Sequence, residues 1–135
     1  MKLRASYLFF ALFLLTAVAC TNDELPPSMT PEFCDDIDAF YTTNVKPIMD
    51  ESCAYAGCHD GAGGIGPGDY TNYASLSTYL DTRIESVRNR VFEIADNPSL
   101  GMPPDQSVYP FSQKDDLTEE EMNILECWLD AGYPE

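Results

Sequence analysis

The chain has 135 residues, 23 acidic against 7 basic, and a formal charge of −16 with its single histidine neutral. Such an excess of negative charge excludes nucleic acid as a partner on electrostatic grounds. The length suits one compact domain, and the five cysteines call for an account of compartment and pairing.

Lys2 and Arg4 precede an apolar stretch from Tyr7 to Leu15, which gives way to Thr16-Ala17-Val18-Ala19-Cys20. This reads as an export signal over residues 1–19, too short and too abruptly ended for a spanning helix. Ala17 and Ala19 suit ordinary cleavage before Cys20. A cysteine just after a small residue and before the polar Thr21-Asn22-Asp23-Glu24 also resembles the lipobox of bacterial lipoproteins. That resemblance implies lipidation at Cys20 and a place in the cell envelope, anchored to a membrane. Residues 20–31 then form a polar, proline-bearing tether, and 32–135 the folded domain. Losing Lys2 and Arg4 with the signal takes the charge to −18. This reads either as solubility at the end of a tether or as steering toward a basic redox partner.

Thr30, Pro31 and Glu32 read as a helix start, with Pro31 at the first helical position, and predict a short helix through Phe40. A second helix opens at Asn44, takes Pro47 into its first turn and delivers Cys53 from its end. Met49 within it reads as core.

The run Cys53-Ala54-Tyr55-Ala56-Gly57-Cys58-His59 places the chain's one histidine directly after a close cysteine pair. Two such thiols can add across the vinyl groups of a haem, and the adjacent histidine can then reach the iron. The usual spacing is C-x-x-C-H. Here the gap is four residues, so the segment must bulge by roughly two residues relative to one helical turn. Gly57 permits that bulge. A disulfide between Cys53 and Cys58, or a zinc site with a further cysteine, competes with haem at this point. If haem takes this pair, Cys34 and Cys127 are the natural disulfide partners in an exported chain.

Residues 60–69 form a glycine-rich loop without the Lys-Ser/Thr ending of a phosphate loop, and close packing along a flat haem explains it better. Helices follow at Asn72–Leu80 and about Ile84–Ala95. Tyr73, Leu76 and Leu80 share one face of the first, and Val87, Val91 and Ile94 one face of the second. Arg88 and Arg90 suit haem propionates, since guanidinium groups meet carboxylates bidentately. A solvated face, or pairing with the surplus of Asp and Glu, explains them equally well. Residues 97–113 are loop, with Pro98, Pro103, Pro104 and Pro110. Met102 within this proline-locked loop is a poor core residue and a candidate sixth ligand through its thioether sulfur. The last helix has Thr118 as cap, Glu121 closing a capping box, Leu117 and Met122 as staple, and Gly132 with Pro134 as its end.

The ordered set of a helix leading into Cys53, Cys58 and His59, a Met-Pro loop, and a closing helix ending in Trp128-Leu129-Asp130-Ala131-Gly132 resembles class I cytochrome c. Val45-Lys46-Pro47-Ile48, Gly101-Met102-Pro103-Pro104 and Leu117-Thr118-Glu119-Glu120-Glu121 look like short lipoprotein cytochrome c domains of bacteria, over roughly residues 38–134. The resemblance implies an all-α fold with crossed terminal helices around one covalent haem c, and His59 and Met102 on opposite faces of the iron. Touching terminal helices would bring Cys34 and Cys127 within bridging range.

The function expected is that of a membrane-tethered one-electron carrier between redox proteins, with no catalytic side chain. A peroxidase or gas-binding role would need an open iron position. The alternative class is a non-haem lipoprotein domain held by disulfides or zinc, with a structural or interaction role.

Overall fold

A computed structural model describes residues 31–61 and 63–135. The export signal, the lipidation at Cys20, Thr30 and nearly all of the tether lie outside the described residues, and Pro31 stands just before the first helical residue, Glu32, instead of at it. The described part is all-α. No strand forms there, only an isolated antiparallel bridge between Asp60 and Asp69.

The expected first helix is reduced to a 3-10 turn, Glu32–Asp36, after which Ile37 is already extended. Asp35, Asp36 and Asp38 explain the shortening. Aspartate is a poor helix former, and negative charge opposes the dipole at a helix C-terminus.

A π-helical turn, Tyr41–Val45, runs directly into helix α1, Lys46–Ser52, with Pro47 in its first turn. The helical path thus starts before Asn44, because Tyr41 and Val45 are both buried. Tyr41 stacks at a tilt on Tyr73 and Trp128, with ring centroids 5.3 and 6.1 Å away, and its N–H donates to the Pro134 carbonyl at 3.1 Å.

Helix α2, Tyr73–Arg88, is continuous where the sequence suggested two helices. Asn72 caps it, accepting from the Ser75 N–H at 3.0 Å. Its register is lost only at a π-helical turn, Asn89–Glu93. Asp81, Thr82 and Arg83, where the sequence suggested a break, include neither glycine nor proline, so nothing there interrupts the backbone ladder.

Helix α3, Glu119–Asp130, carries the expected capping box: Thr118 accepts from the Glu121 N–H, and the Glu121 carboxylate accepts from the Thr118 N–H at 2.7 Å. The chain leaves it through Gly132 at φ +78° and returns so that the Trp128 indole donates to the Pro134 carbonyl at 2.8 Å. α3 packs on the Tyr41–Val45 turn and on the 3-10 turn. Trp128, Leu76, Leu80 and Val45 are the largest fully buried side chains. Each contributes about 1.5–3 kcal/mol through burial. Cys34 and Cys127 are bridged, with Cα atoms 5.4 Å apart, which ties the start of the domain to α3.

Candidate functional site

Cys53 ends α1 as its C-cap, and the chain then folds back so that the His59 N–H donates to the Cys53 carbonyl at 3.1 Å. The four-residue gap is absorbed by the expected bulge, with Gly57 at φ +91°, a conformation that disfavours any residue bearing a Cβ. Tyr55, inside the gap, reaches the far loop: its hydroxyl accepts from the Gln113 N–H at 2.9 Å and lies 3.5 Å from Ser112 Oγ. Cys53 and Cys58 are both free thiols, so neither is spent on a disulfide.

The loop after His59 closes back on it. Tyr70 N–H donates to the His59 carbonyl at 2.9 Å, and His59 Nδ1 lies 2.8 Å from the Pro67 carbonyl oxygen. A carbonyl only accepts, so Nδ1 carries the proton and Nε2 keeps the lone pair, as a ligating imidazole requires. Burial pushes the pKa of His59 below the usual range, with the Pro67 hydrogen bond working against it and nearby Arg90 adding to it. The ring is therefore neutral at neutral pH. Gly66 lies against this ring, where a Cβ would come within 2.4–2.7 Å of three of its atoms. The glycine-rich loop thus packs along the histidine itself.

A cavity of about 590 Å³ opens beside these residues. Cys53, Cys58 and His59 line it, as do Met102, Pro103 and Pro104 of the proline-bearing loop. Leu76, Leu80, Leu125, Trp128 and Leu129 supply much of its apolar wall. Its volume falls within the ~300–1,000 Å³ typical of sites for sizeable organic ligands. Burial pushes the Cys53 thiol up to about 12, with the neighbouring Cys58 and Glu121 adding to it. Cys53 is thus a neutral thiol. Ser52 Oγ, in the same wall, is buried with no hydrogen-bond partner among the described residues.

The sequence pointed to Arg88 and Arg90 as cofactor-binding, and the structure separates them. Arg90 lines the cavity, whereas Arg88 does not and is paired with Asp130. Arg83, which the sequence reading passed over, lines the cavity instead. Of the five basic residues described, Lys46 pairs with Asp50, Lys114 with Glu121 and Arg88 with Asp130. Only Arg83 and Arg90 have no carboxylate partner among the described residues, and both face the cavity. Among the described residues no Asp or Glu lines it, although the chain is strongly acidic.

No protein-family model, no curated protein and no solved structure matches the chain. What the site can do follows from its own donors: two free thiols, a neutral imidazole with Nε2 unprotonated, a thioether and two guanidinium groups without a carboxylate partner among the described residues, around an apolar cavity. Among the described residues no three His, Cys, Asp or Glu side chains converge on a point that would hold a bare metal ion. The donor set suits a large apolar group with anionic substituents.

Proposed function

We propose that the protein is an exported mono-haem c-type cytochrome of class I architecture, anchored to a membrane through Cys20, that passes single electrons between redox partners. The observation that carries this reading is that Cys53, Cys58, His59 and Met102 line one apolar cavity, while Cys34 and Cys127 bridge to each other and leave the first pair free. Bound there, a haem would supply the ferric/ferrous couple. Cys53 and Cys58 would hold the ring by thioethers, with His59 and Met102 as ligands. Arg83 and Arg90 would meet its two carboxylates, and the unpartnered Ser52 hydroxyl has the chemistry to bond a polar edge. The apolar wall would limit water around the bound group, which would raise the cost of charge on its iron and so help set the potential. The negative charge of the domain favours a basic partner.

The test is expression alongside cytochrome c maturation machinery, followed by a pyridine haemochrome spectrum and haem staining after denaturing electrophoresis. The wild type should carry one covalent haem, Cys53→Ala and Cys58→Ala should weaken the stain, and the double variant should lose it. A wild type without haem would leave the non-haem lipoprotein alternative standing.

A further inference from the structure

Tyr70 is the residue of this site that the donor chemistry does not call for. Its ring lies parallel to the His59 imidazole, with centroids 4.1 Å apart and planes 1° from parallel. Only 7% of it is exposed, and burial pushes its phenol well above the usual range, so it stays neutral. Tyr79 packs against Tyr70 at a tilt, with ring centroids 5.4 Å apart. Two further contacts hold the same imidazole: the Pro67 carbonyl at Nδ1, and Gly66, whose missing Cβ leaves the ring its place. A hydrogen bond at Nδ1 fixes the tautomer and one edge of the ring. It leaves the ring free to turn about the line through that bond. A flat partner stacked on the ring face removes this freedom.

We infer that Tyr70 is a positioning residue for His59, fixing the plane of the imidazole through face-to-face stacking and so the orientation of its Nε2. The inference rests on His59 being the ligand proposed above, but the preorganisation it describes belongs to the chain without haem. The aromatic face is the active feature, and the hydroxyl is dispensable. Tyr70→Phe therefore retains the effect and Tyr70→Leu, similar in apolarity but without a flat face, loses it.

Two measurements decide the matter. In haem-free protein with ¹⁵N-labelled histidine at neutral pH, wild type and Tyr70→Phe should show His59 as the single Nδ1-protonated tautomer. Its ring protons should be moved upfield by the stacked ring. Tyr70→Leu should keep that tautomer, which the Pro67 carbonyl fixes, but lose the upfield shift and show ring signals broadened as the imidazole plane turns. In haem-loaded protein, the g-values of the low-spin ferric signal should be the same in wild type and Tyr70→Phe, and moved and broadened in Tyr70→Leu. Should Tyr70→Leu fail to fold, the wild-type haem-free spectrum still decides: His59 ring protons at their ordinary shifts overturn the proposal. So does a Tyr70→Leu protein matching wild type in both measurements. A chain that takes up no haem yet shows the ordered imidazole overturns the cytochrome reading and leaves the positioning role intact.

Discussion

Met102 is held from behind. Its N–H donates to the Arg90 carbonyl at 3.0 Å, while the Arg90 guanidinium donates to the Leu100 carbonyl at 3.3 Å, so the π-helical turn and the loop grip each other around this residue. Gly101 makes the approach possible, since a Cβ there would lie 2.1 Å from the Ala95 carbonyl oxygen. If the protein carries the haem proposed above, a thioether presented by such a braced loop would favour ferrous iron and block the sixth position. Met102→Ala should lower the reduction potential by on the order of 0.1 V, a fraction of the ~0.8 V that axial ligands span. It should also open the iron to carbon monoxide. Redox titration and carbon monoxide binding check both, and a wild type that already binds the gas readily would mean that Met102 does not ligate.

Among the helices, α3 depends most on local chemistry. Thr118→Ala removes the side-chain acceptor of the capping box and should cost about 1 kcal/mol in urea unfolding. The Glu121 carboxyl, despite partial burial that pushes it up, is held below the usual range by the Lys114 ammonium at 2.5 Å and the Thr118 donors. A depressed carboxylate contributes stability above its unfolded pKa of about 4.3, and that contribution is lost as the pH falls through the lower folded value. Stability curves of wild type and Glu121→Gln should therefore separate near neutral pH and converge in acid. This capping box was legible in the sequence because its partners are three residues apart. The Cys53, Cys58 and His59 cluster was legible because its members share one short run of chain, and Gly57 announced the bulge. What sequence could not deliver were terms set by distant partners. The helix expected up to Phe40 yields to an acidic run whose Cys34 is fixed to Cys127. Reading α2 as two helices hid the stripe Leu76, Leu80, Arg83 and Val87, all of which line the cavity, with Arg90 joining them from the π-helical turn. On a continuous helix each residue turns by about 100°, so Arg88, next to Val87, points well away from that stripe. Tyr70 and Pro67 carried no sequence signal, because their roles exist only once the loop closes on His59.

For the whole molecule, the bridge between Cys34 and Cys127 closes a loop across a sequence separation of 93 residues. A domain of about 100 residues has a modest core, so a constraint on the unfolded chain weighs heavily. Replacing both cysteines by serine should cost about 4–5 kcal/mol in the chain-entropy model, measurable by denaturant unfolding of both forms under oxidising conditions. Peptide mapping without reduction should recover the two cysteines linked and Cys53 and Cys58 unlinked to each other.

The same bridge decides how the domain bears mechanical load. Tension applied to the segment before Cys34 passes at Cys34 across the sulfur atoms to Cys127, and so straight into α3. The chain between the two cysteines, which contains Cys53, Cys58, His59 and Met102, is out of the line of force. While the bridge is intact, pulling the ends of the chain apart can straighten only what lies outside it. The cavity walls contributed by residues 49–125 are thereby shielded from strain on the N-terminal segment.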